Sequence, residues 1–156
     1  MPNNSLKTLY LIRHGKSSWD DPALADFARP LTGRGRRAAR LMGEHMARSK
    51  WIPDLVLCSS AVRARQTLEF ALRAWSSPKP EVRFQRSLYM ADADKLLQQA
   101  RQLDDSVNSA MLVGHDPGIR DLALLLAGKA EDIYLERLAR KFPTGALAVF
   151  TFPFRR

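Results

Sequence analysis

Residues 9–15 of the chain read Leu-Tyr-Leu-Ile-Arg-His-Gly, an apolar run that ends in a cation, an imidazole and a glycine. The first four residues are typical of strands, and the run is short enough to form one buried strand. In open α/β sheets, ligands bind in the crevice beyond the carboxyl ends of the strands. The position of His14 beside Arg13 therefore predicts a nucleophile placed to meet an anion.

Two later apolar runs also end close to residues that suit an anion site. Residues 54–58 read Asp-Leu-Val-Leu-Cys and are followed, after a short turn, by Arg63. Residues 110–113 read Ala-Met-Leu-Val and lead through a glycine into His115. Both runs have the length and composition of buried strands.

Amphipathic helical patterns lie between the strands. Thr32 is a suitable N-cap for the first helix. At the last helix, Asp116 is a suitable N-cap and Pro117 suits the first helical position. Helices are expected after Thr32 and over residues 61–75, 92–103 and 117–127. The face of the first helix that is expected to be buried consists of Ala38, Leu41, Met42, His45 and Met46.

The alternation of strands and helices predicts an α/β fold. Further strands are expected at residues 81–84 and 146–152, and residues 128–141 are expected to be part helix and part loop. Such an order favours three layers, with a mostly parallel central sheet and helices on both faces. The length suits a single domain over residues 1–156.

The balance of charges is strongly basic, with 25 Lys and Arg residues against 16 Asp and Glu residues and a net charge of +9. Such a charge attracts acidic partners, which could be nucleic acid, an acidic protein or a phosphorylated small molecule. A solvated basic surface without a specific partner explains the charge equally well.

The sequence also bounds the cellular setting. Cys58 is the single cysteine, which excludes an internal disulfide and fits a reducing compartment. No apolar run approaches the ~18–20 residues that a membrane-spanning helix needs. The first five residues lead into the first strand without a signal-peptide pattern. We therefore expect a cytoplasmic protein without a membrane partner.

The loops that follow the three central strands carry a set of residues suited to phosphoryl transfer. Because parallel strands deliver these loops to one edge of the sheet, His14, Arg63 and His115 are expected to meet there. A neutral imidazole can attack phosphorus and become a phosphohistidine, while Arg13 and Arg63 orient the phosphoryl oxygens. His115 can donate a further hydrogen bond at a helix start. No metal is required, since the guanidinium groups neutralise the charge that Mg²⁺ neutralises in kinases.

Three ordered motifs resemble the histidine phosphatase superfamily, the phosphoglycerate-mutase-like proteins. They are Leu-Ile-Arg-His-Gly at 11–15, Arg-Ala-Arg-Gln-Thr at 63–67 and Val-Gly-His-Asp-Pro-Gly at 113–118. The short chain also resembles the SixA branch of that superfamily, which contains small bacterial phosphohistidine phosphatases. The segments that carry this second resemblance are residues 16–20, 29–32 and 143–147.

The resemblance implies a phosphoglycerate-mutase-like fold and a set of functional residues, with no cofactor. By this resemblance His14 accepts the phosphoryl group. The residues implied to hold the phosphate are Arg13, Arg63 and His115, with a hydroxyl or backbone donor from Ser17 and a positive charge from Lys16.

One departure from the superfamily pattern bears on the substrate. Many members carry a glutamate that protonates the leaving alcohol, and no convincing equivalent occurs between Leu88 and Leu96, where Asp92 and Asp94 qualify by position only. An imidazole leaves phosphorus more easily than an alkoxide, because it protonates near neutral pH. The missing acid therefore favours phosphoramidates such as phosphohistidine over phosphate monoesters. The resemblance to the SixA branch implies that the phosphohistidine belongs to a signalling protein, for which a histidine phosphotransfer domain is one candidate.

Two alternatives stay open at this point. One is a small-molecule phosphomonoesterase of the same superfamily. The other, from a different class, is a non-enzymatic basic module that binds nucleic acid or an acidic protein. Nucleic acid is the less favoured partner, because the sequence shows no recognised nucleic-acid-binding motif.

Overall fold

Five strands form one sheet in the structure, a computed structural model that describes residues 6–128 and 142–153. The strands are β1 (Leu6–Arg13), β2 (Leu55–Ser59), β3 (Glu81–Gln85), β4 (Ser109–Gly114) and β5 (Leu147–Pro153). Their order in the sheet is β3-β2-β4-β1-β5. All pairings are parallel except that of β1 with β5, which is antiparallel. The predicted mostly parallel sheet is thus confirmed, whereas most of the segment predicted over 128–141 lies outside the described residues.

Helices cover both faces of this sheet. They are α1 (Gly33–Arg48), α2 (Val62–Leu72), α3 (Ala93–Arg101) and α4 (Gly118–Ala127). Met46 of α1 and Leu68 of α2 pack with Ile12 on one face, whereas Leu96 of α3 and Leu122 of α4 share a core with strand residues on the other. The predicted three-layer arrangement is therefore confirmed. No helix in the described part of the chain combines the length and hydropathy that crossing a bilayer would need.

The buried face of α1 differs from the prediction, although its N-cap does not. The Thr32 side chain accepts the N–H of Gly35 at 2.9 Å, as expected of a cap. Ala38, Leu41 and His45 are exposed, so the predicted stripe is wrong at these positions. The residues of α1 that are buried are Gly35, Ala39, Gly43 and Met46.

Close packing of α1 on α2 explains this shift. A Cβ atom on Gly43 would lie 2.5 Å from the carbonyl oxygen of Ala71, so the two backbones touch through a residue without a side chain. Glycine contributes little to a hydropathy pattern. The helical spacing of apolar residues therefore does not reveal the true contact face. It points instead to larger apolar residues beside that face.

The start of α4 lies one residue later than predicted. The helix begins at Gly118, and Pro117 rather than Asp116 occupies the N-cap position. The Asp116 carboxylate makes no cap hydrogen bond, because it points toward the helix side chain Arg120, with Oδ1 3.8 Å from Nε. The turn still places His115 directly beyond the end of β4.

Candidate active site

The loops beyond the carboxyl ends of β1, β2 and β4 enclose a cavity of about 370 Å³. All six site residues predicted from the sequence lie in its wall, and the described lining consists of Arg13, His14, Lys16, Ser17, Trp19, Asp26, Arg29, Arg63, Met90, His115, Asp116 and Thr144. The parallel strands thus bring together side chains that are up to about a hundred positions apart in sequence, as expected for this edge of the sheet.

His14 is held as a neutral imidazole at the cavity wall. Its side chain is buried, with 7% of the residue exposed, and Nδ1–H donates to the carbonyl oxygen of Gly15 at 2.7 Å. Burial lowers the pKa of His14 to about 4, and the nearby guanidinium groups of Arg63, Arg13 and Arg29 add to this against the opposing Gly15 hydrogen bond. The ring nitrogen Nε2 therefore keeps its lone pair at neutral pH, where it accepts Nε–H of Arg63 at 3.3 Å.

The loop that carries His14 is tied to both α1 and α2. The backbone N–H of Gly15 donates to Oγ1 of Thr67 at 2.9 Å, and the Thr67 hydroxyl donates to the carbonyl oxygen of Arg63 at 2.7 Å. On the other side, a Cβ atom on Gly35 would lie 2.3 Å from the carbonyl oxygen of Lys16. Only glycine allows this approach, so the first turn of α1 supports the loop directly.

His115 is a second neutral imidazole beside the first. The two ring centroids are 5.1 Å apart, and Nε2 of His115 shares a hydrogen bond of 2.8 Å with Oγ of Ser59. Burial, followed by the neighbouring His14 and Arg63, lowers the pKa of His115 to about 3. Nδ1 is buried and makes no hydrogen bond within the described residues. One polar atom of this ring is thus left for a ligand.

One carboxylate, that of Asp26, joins two buried guanidinium groups. Arg63 donates from Nη1 to the backbone oxygen of Asp26 at 2.7 Å and from Nη2 to Oδ2 at 3.0 Å. Arg29 donates from Nε and Nη2 to Oδ1 of Asp26 at 3.1 and 3.0 Å, and from Nη1 to Oγ of Ser17 at 2.9 Å. The two arginines are therefore fixed in a pair on the cavity wall.

Asp26 is ionised in this setting. The Tyr89 hydroxyl donates to Oδ2, and this bond, together with those from Arg29 and Arg63, lowers the pKa of Asp26 to about 2 despite partial burial. A carboxylate with such a pKa does not supply a proton near pH 7. The rings of Tyr89 and His115 also lie nearly perpendicular to each other, with the centroids 5.3 Å apart.

Sequence reasoning assigned no role to Asp26, Arg29, Thr67 or Tyr89. Arg29 lies in the segment 29–32 whose pattern resembles the SixA branch, and that resemblance was the one signal available for it. Asp26 lies three residues before Arg29 in a short 3-10 turn, Asp26–Ala28, within a loop that reads as generally acidic. Nothing in that loop distinguishes its carboxylate from the others.

The remaining predicted residues, which also line the cavity, differ in how many hydrogen bonds hold their side chains in place. Arg13 donates from Nη1 to the carbonyl oxygen of Phe142 at 2.9 Å, and its buried Nε has no hydrogen-bond partner within the described residues. Lys16 is exposed, whereas Ser17 accepts from Arg29. All three therefore lie where an anion in the cavity could reach them.

Asp92 and Asp94, the carboxylates considered as proton donors, lie elsewhere. Asp92 caps α3 by accepting the N–H of Lys95 at 2.9 Å, and Asp94 is an exposed residue of the first turn. Neither lines the cavity. The carboxylates that do so among the described residues are Asp26 and Asp116.

The charge of the cavity suits a dianion. Four cationic side chains line it against two carboxylates, and the cationic residues are Arg13, Lys16, Arg29 and Arg63. Guanidinium groups match the oxygens of a phosphoryl group in planar, paired hydrogen bonds. A tetrahedral oxyanion held here would lie beside an uncharged imidazole whose Nε2 carries a lone pair rather than a proton.

Comparison with known proteins gives this arrangement a family context. Residues 9–89 match the histidine phosphatase superfamily (branch 1). An uncharacterised protein of Mycobacterium tuberculosis is 36% identical over 140 residues, covering 88% of this chain and 85% of that protein. The two proteins are therefore similar in sequence along most of their lengths.

Two solved structures extend the likeness to three dimensions. A candidate phosphohistidine phosphatase SixA from Agrobacterium tumefaciens has a TM-score of 0.83 at 32% identity, over 92% of this chain and 90% of that chain. A protein histidine phosphatase SixA complexed with tungstate has a TM-score of 0.74 at 26% identity, over 91% and 86% of the two chains. A phosphoglycerate mutase from Plasmodium falciparum shares the fold, with a TM-score of 0.61 at 15% identity over 96% and 91% of the two chains. Together these matches confirm the predicted phosphoglycerate-mutase-like fold.

Proposed function

Because the chain belongs to the histidine phosphatase superfamily, we propose that it removes the phosphoryl group from phosphohistidine in a protein, through a covalent intermediate on His14. Its SixA-like neighbours support a phosphatase activity. The observation that carries the finer proposal is the state of His14. It is a buried, uncharged imidazole whose Nε2 lies against Arg63 in a cavity with excess positive charge.

The first step transfers the phosphoryl group between two imidazoles. The Nε2 lone pair of His14 attacks phosphorus, and the bond from phosphorus to the substrate's ring nitrogen breaks. As the new bond forms, Nε–H of Arg63 loses the Nε2 lone pair as its acceptor and donates instead to a phosphoryl oxygen brought beside it. The substrate ring leaves as neutral imidazole when its second nitrogen already carries a proton. Protons and electrons therefore balance without an acid, which is why neither Asp26 nor Asp116 needs to be a proton donor.

The second step regenerates the enzyme. Water attacks phosphorus, the bond from phosphorus to Nε2 of His14 breaks, and the phosphate product keeps both protons of the water. Nδ1–H remains bonded to the Gly15 carbonyl throughout, which preserves the tautomer that leaves Nε2 reactive.

The cavity wall supplies the remaining stabilisation. Arg13, Arg29 and Arg63 hold the phosphoryl oxygens, and the unpaired Nδ1 of His115 binds one of them when that nitrogen carries the ring proton. Preorganised donors of this kind contribute about 3–4 kcal/mol each to transition-state stabilisation. The tungstate bound by a SixA structure is a tetrahedral oxyanion like phosphate, and it supports an oxyanion site in this fold.

Phosphate release from two small substrates tests the proposal. Free phosphohistidine presents a P–N bond, whereas p-nitrophenyl phosphate presents a P–O bond. We expect kcat/KM to be higher for phosphohistidine and unaffected by EDTA, because guanidinium groups rather than a metal neutralise the phosphoryl charge. His14→Ala should lower kcat/KM by about 10³-fold or more, as loss of a covalent nucleophile does in other hydrolases.

His45→Ala is the matched control, since His45 is an exposed histidine outside the cavity. That variant should keep full activity on both substrates. Undiminished phosphate release by His14→Ala would end the proposed mechanism. Preference for p-nitrophenyl phosphate would instead favour a phosphomonoesterase.

A further inference from the structure

Helix α1 carries an excess of positive charge on its exposed side. Five of its sixteen residues are exposed arginines, accompanied by one carboxylate, Glu44, and these arginines are Arg34, Arg36, Arg37, Arg40 and Arg48. The recorded ion pair on this helix joins Nε of Arg40 to Oε1 of Glu44 at 3.9 Å. Within residues 6–128 and 142–153, Arg34, Arg37 and Arg48 have no carboxylate partner.

An apolar side chain lies in the middle of these charges. Leu41 is 57% exposed and points away from the face that packs on α2. Helical spacing places it one turn after Arg37, two turns after Arg34 and two turns before Arg48. His45 follows by one turn, and its ring lies nearly perpendicular to the Trp51 ring, with the centroids 5.5 Å apart. We call Arg34, Arg37, Leu41, His45 and Arg48 the basic ridge.

The basic ridge begins at the rim of the cavity. The N–H of Thr32, the N-cap of α1, donates to the carbonyl oxygen of Lys16 at 2.8 Å, and Lys16 lines the cavity. The ridge then runs away from the rim for about 21 Å, at 1.5 Å per helical residue. That length is comparable with the width of a standard protein–protein interface.

We propose that the basic ridge is the docking surface for the acidic protein that carries the phosphohistidine. This inference rests on the proposed function and adds the partner's chemistry. A protein whose phosphohistidine enters the cavity must place its neighbouring surface over the rim, beside the first turn of α1. Carboxylates on that surface would meet unpaired arginines, and an apolar side chain would cover Leu41. Arginine is enriched at protein–protein interfaces and among their energetically dominant residues, and their buried centres are more apolar than their rims.

The partner is a protein rather than a nucleic acid because of Leu41. A phosphate backbone gains from arginines alone, and a leucine on the central line of the ridge contributes nothing to phosphate contacts. A protein partner uses both kinds of residue. The two classes therefore predict different responses to the loss of Leu41.

The test compares a protein substrate with a small one. The protein is an acidic histidine phosphotransfer domain phosphorylated on its histidine, and the small substrate is free phosphohistidine. Arg37→Glu should lower kcat/KM for the protein by about tenfold, with a weaker salt dependence, because rim charges act on association. Leu41→Ala should lower it by roughly threefold. Both variants should hydrolyse free phosphohistidine at the unaltered rate, which also shows that they are folded.

Arg101→Glu is the matched control, because it makes the same charge change on an exposed arginine at the end of α3. It should leave both rates unaltered. An undiminished rate of Arg37→Glu on the protein, or an equal loss on both substrates, would overturn the docking surface while leaving the proposed function intact. If the unsubstituted enzyme releases phosphate from neither the protein nor free phosphohistidine, the proposed function itself fails, and the docking inference fails with it.

Binding of a mixed-sequence single-stranded DNA tests the alternative that the ridge holds nucleic acid. If the DNA binds the enzyme, and Arg37→Glu abolishes this binding whereas Leu41→Ala affects neither DNA binding nor the protein substrate, the ridge is a nucleic-acid surface. That result would replace the acidic protein partner.

Discussion

Asp26 sets the charge pattern of the cavity at the scale of single residues. Its carboxylate accepts hydrogen bonds from Arg29, Arg63 and Tyr89, so it holds two guanidinium groups at fixed positions while cancelling part of their charge. Without this carboxylate, the buried guanidinium groups of Arg29 and Arg63 would repel each other and would lack a charged hydrogen-bond acceptor. The positions of the arginines and their net charge are therefore linked through one side chain.

Replacement of this carboxylate should separate its two effects. In Asp26→Asn the positive excess of the cavity rises, so inorganic phosphate should inhibit several-fold more strongly. The arginines lose their paired acceptor, so kcat should fall by about tenfold. Steady-state kinetics with phosphate as the inhibitor measures both.

Asp94→Asn is the control for this variant, because Asp94 is an exposed carboxylate that does not line the cavity. It should alter neither quantity. Unaltered turnover and unaltered phosphate inhibition in Asp26→Asn would show that the carboxylate does not position the arginines.

The packing of α1 on α2 decides, at the scale of elements, where the site residues lie. Helix α2 supplies Arg63 and also Thr67, whose hydroxyl holds the His14 loop. Helix α1 supports the same loop from the other side. Gly43 allows the two helices to touch backbone to backbone, and its carbonyl oxygen also accepts Nε1–H of Trp75 at 3.0 Å.

A methyl group at this contact should therefore force the helices apart. Gly43→Ala places Cβ 2.5 Å from the Ala71 oxygen, an overpacking that costs about 1–3 kcal/mol. The better helix propensity of alanine returns at most about 1 kcal/mol. We expect a net loss of about 1–2 kcal/mol in the free energy of unfolding, measured by urea denaturation.

Gly33→Ala is the comparison within the same helix. Its added Cβ would lie 3.5 Å or more from its nearest neighbours, the flexible ends of Arg36 and Arg37, so stability should stay the same or rise. Equal stabilities for the two variants would mean that the Gly43 contact does not constrain the helix pair.

At the scale of the whole molecule, the two buried histidines of the site make stability depend on pH, because protonation of either ring is unfavourable in the folded chain. His14 and His115 have folded-state pKa values of about 4 and about 3, both below the ordinary value near 6.5 because the rings are buried. As the pH falls below about 6.5, these histidines become protonated in the unfolded chain but stay unprotonated in the folded chain. Asp26, with a pKa of about 2, keeps its favourable charge until the pH is lower still.

The free energy of unfolding should therefore fall as pH drops from about 6.5 to about 4, at up to about 1.4 kcal/mol per pH unit for each histidine. A further decline should follow below about pH 4, where the unfolded chain protonates Asp26 more readily than the folded one. Denaturation at a series of pH values measures both windows. His14→Ala should flatten the upper window, and an unaltered slope in that variant would contradict the burial argument.

Both histidines of the site, together with Arg13 and Arg63, could be predicted because a simple rule connects sequence to space. His14, Arg63 and His115 each follow a strand of a parallel sheet, so their meeting at one edge follows from topology. The pairing of Asp26 with Arg29 and Arg63 depends on how a loop folds over that edge, which no periodicity records. The buried face of α1 was predicted wrongly for a related reason. Gly35 and Gly43 make contact through their backbone, so they leave no hydropathy signal in the sequence.

The most direct measurement of the central claim is the chemical state of His14 during turnover. Rapid mixing with phosphohistidine, alkaline quenching and peptide mass spectrometry would locate any phosphoryl group on the enzyme. We expect it on His14 within the first turnover, and on no residue in His14→Ala. Turnover that proceeds with no phosphorylated His14, or with the phosphoryl group on His115, would contradict the account.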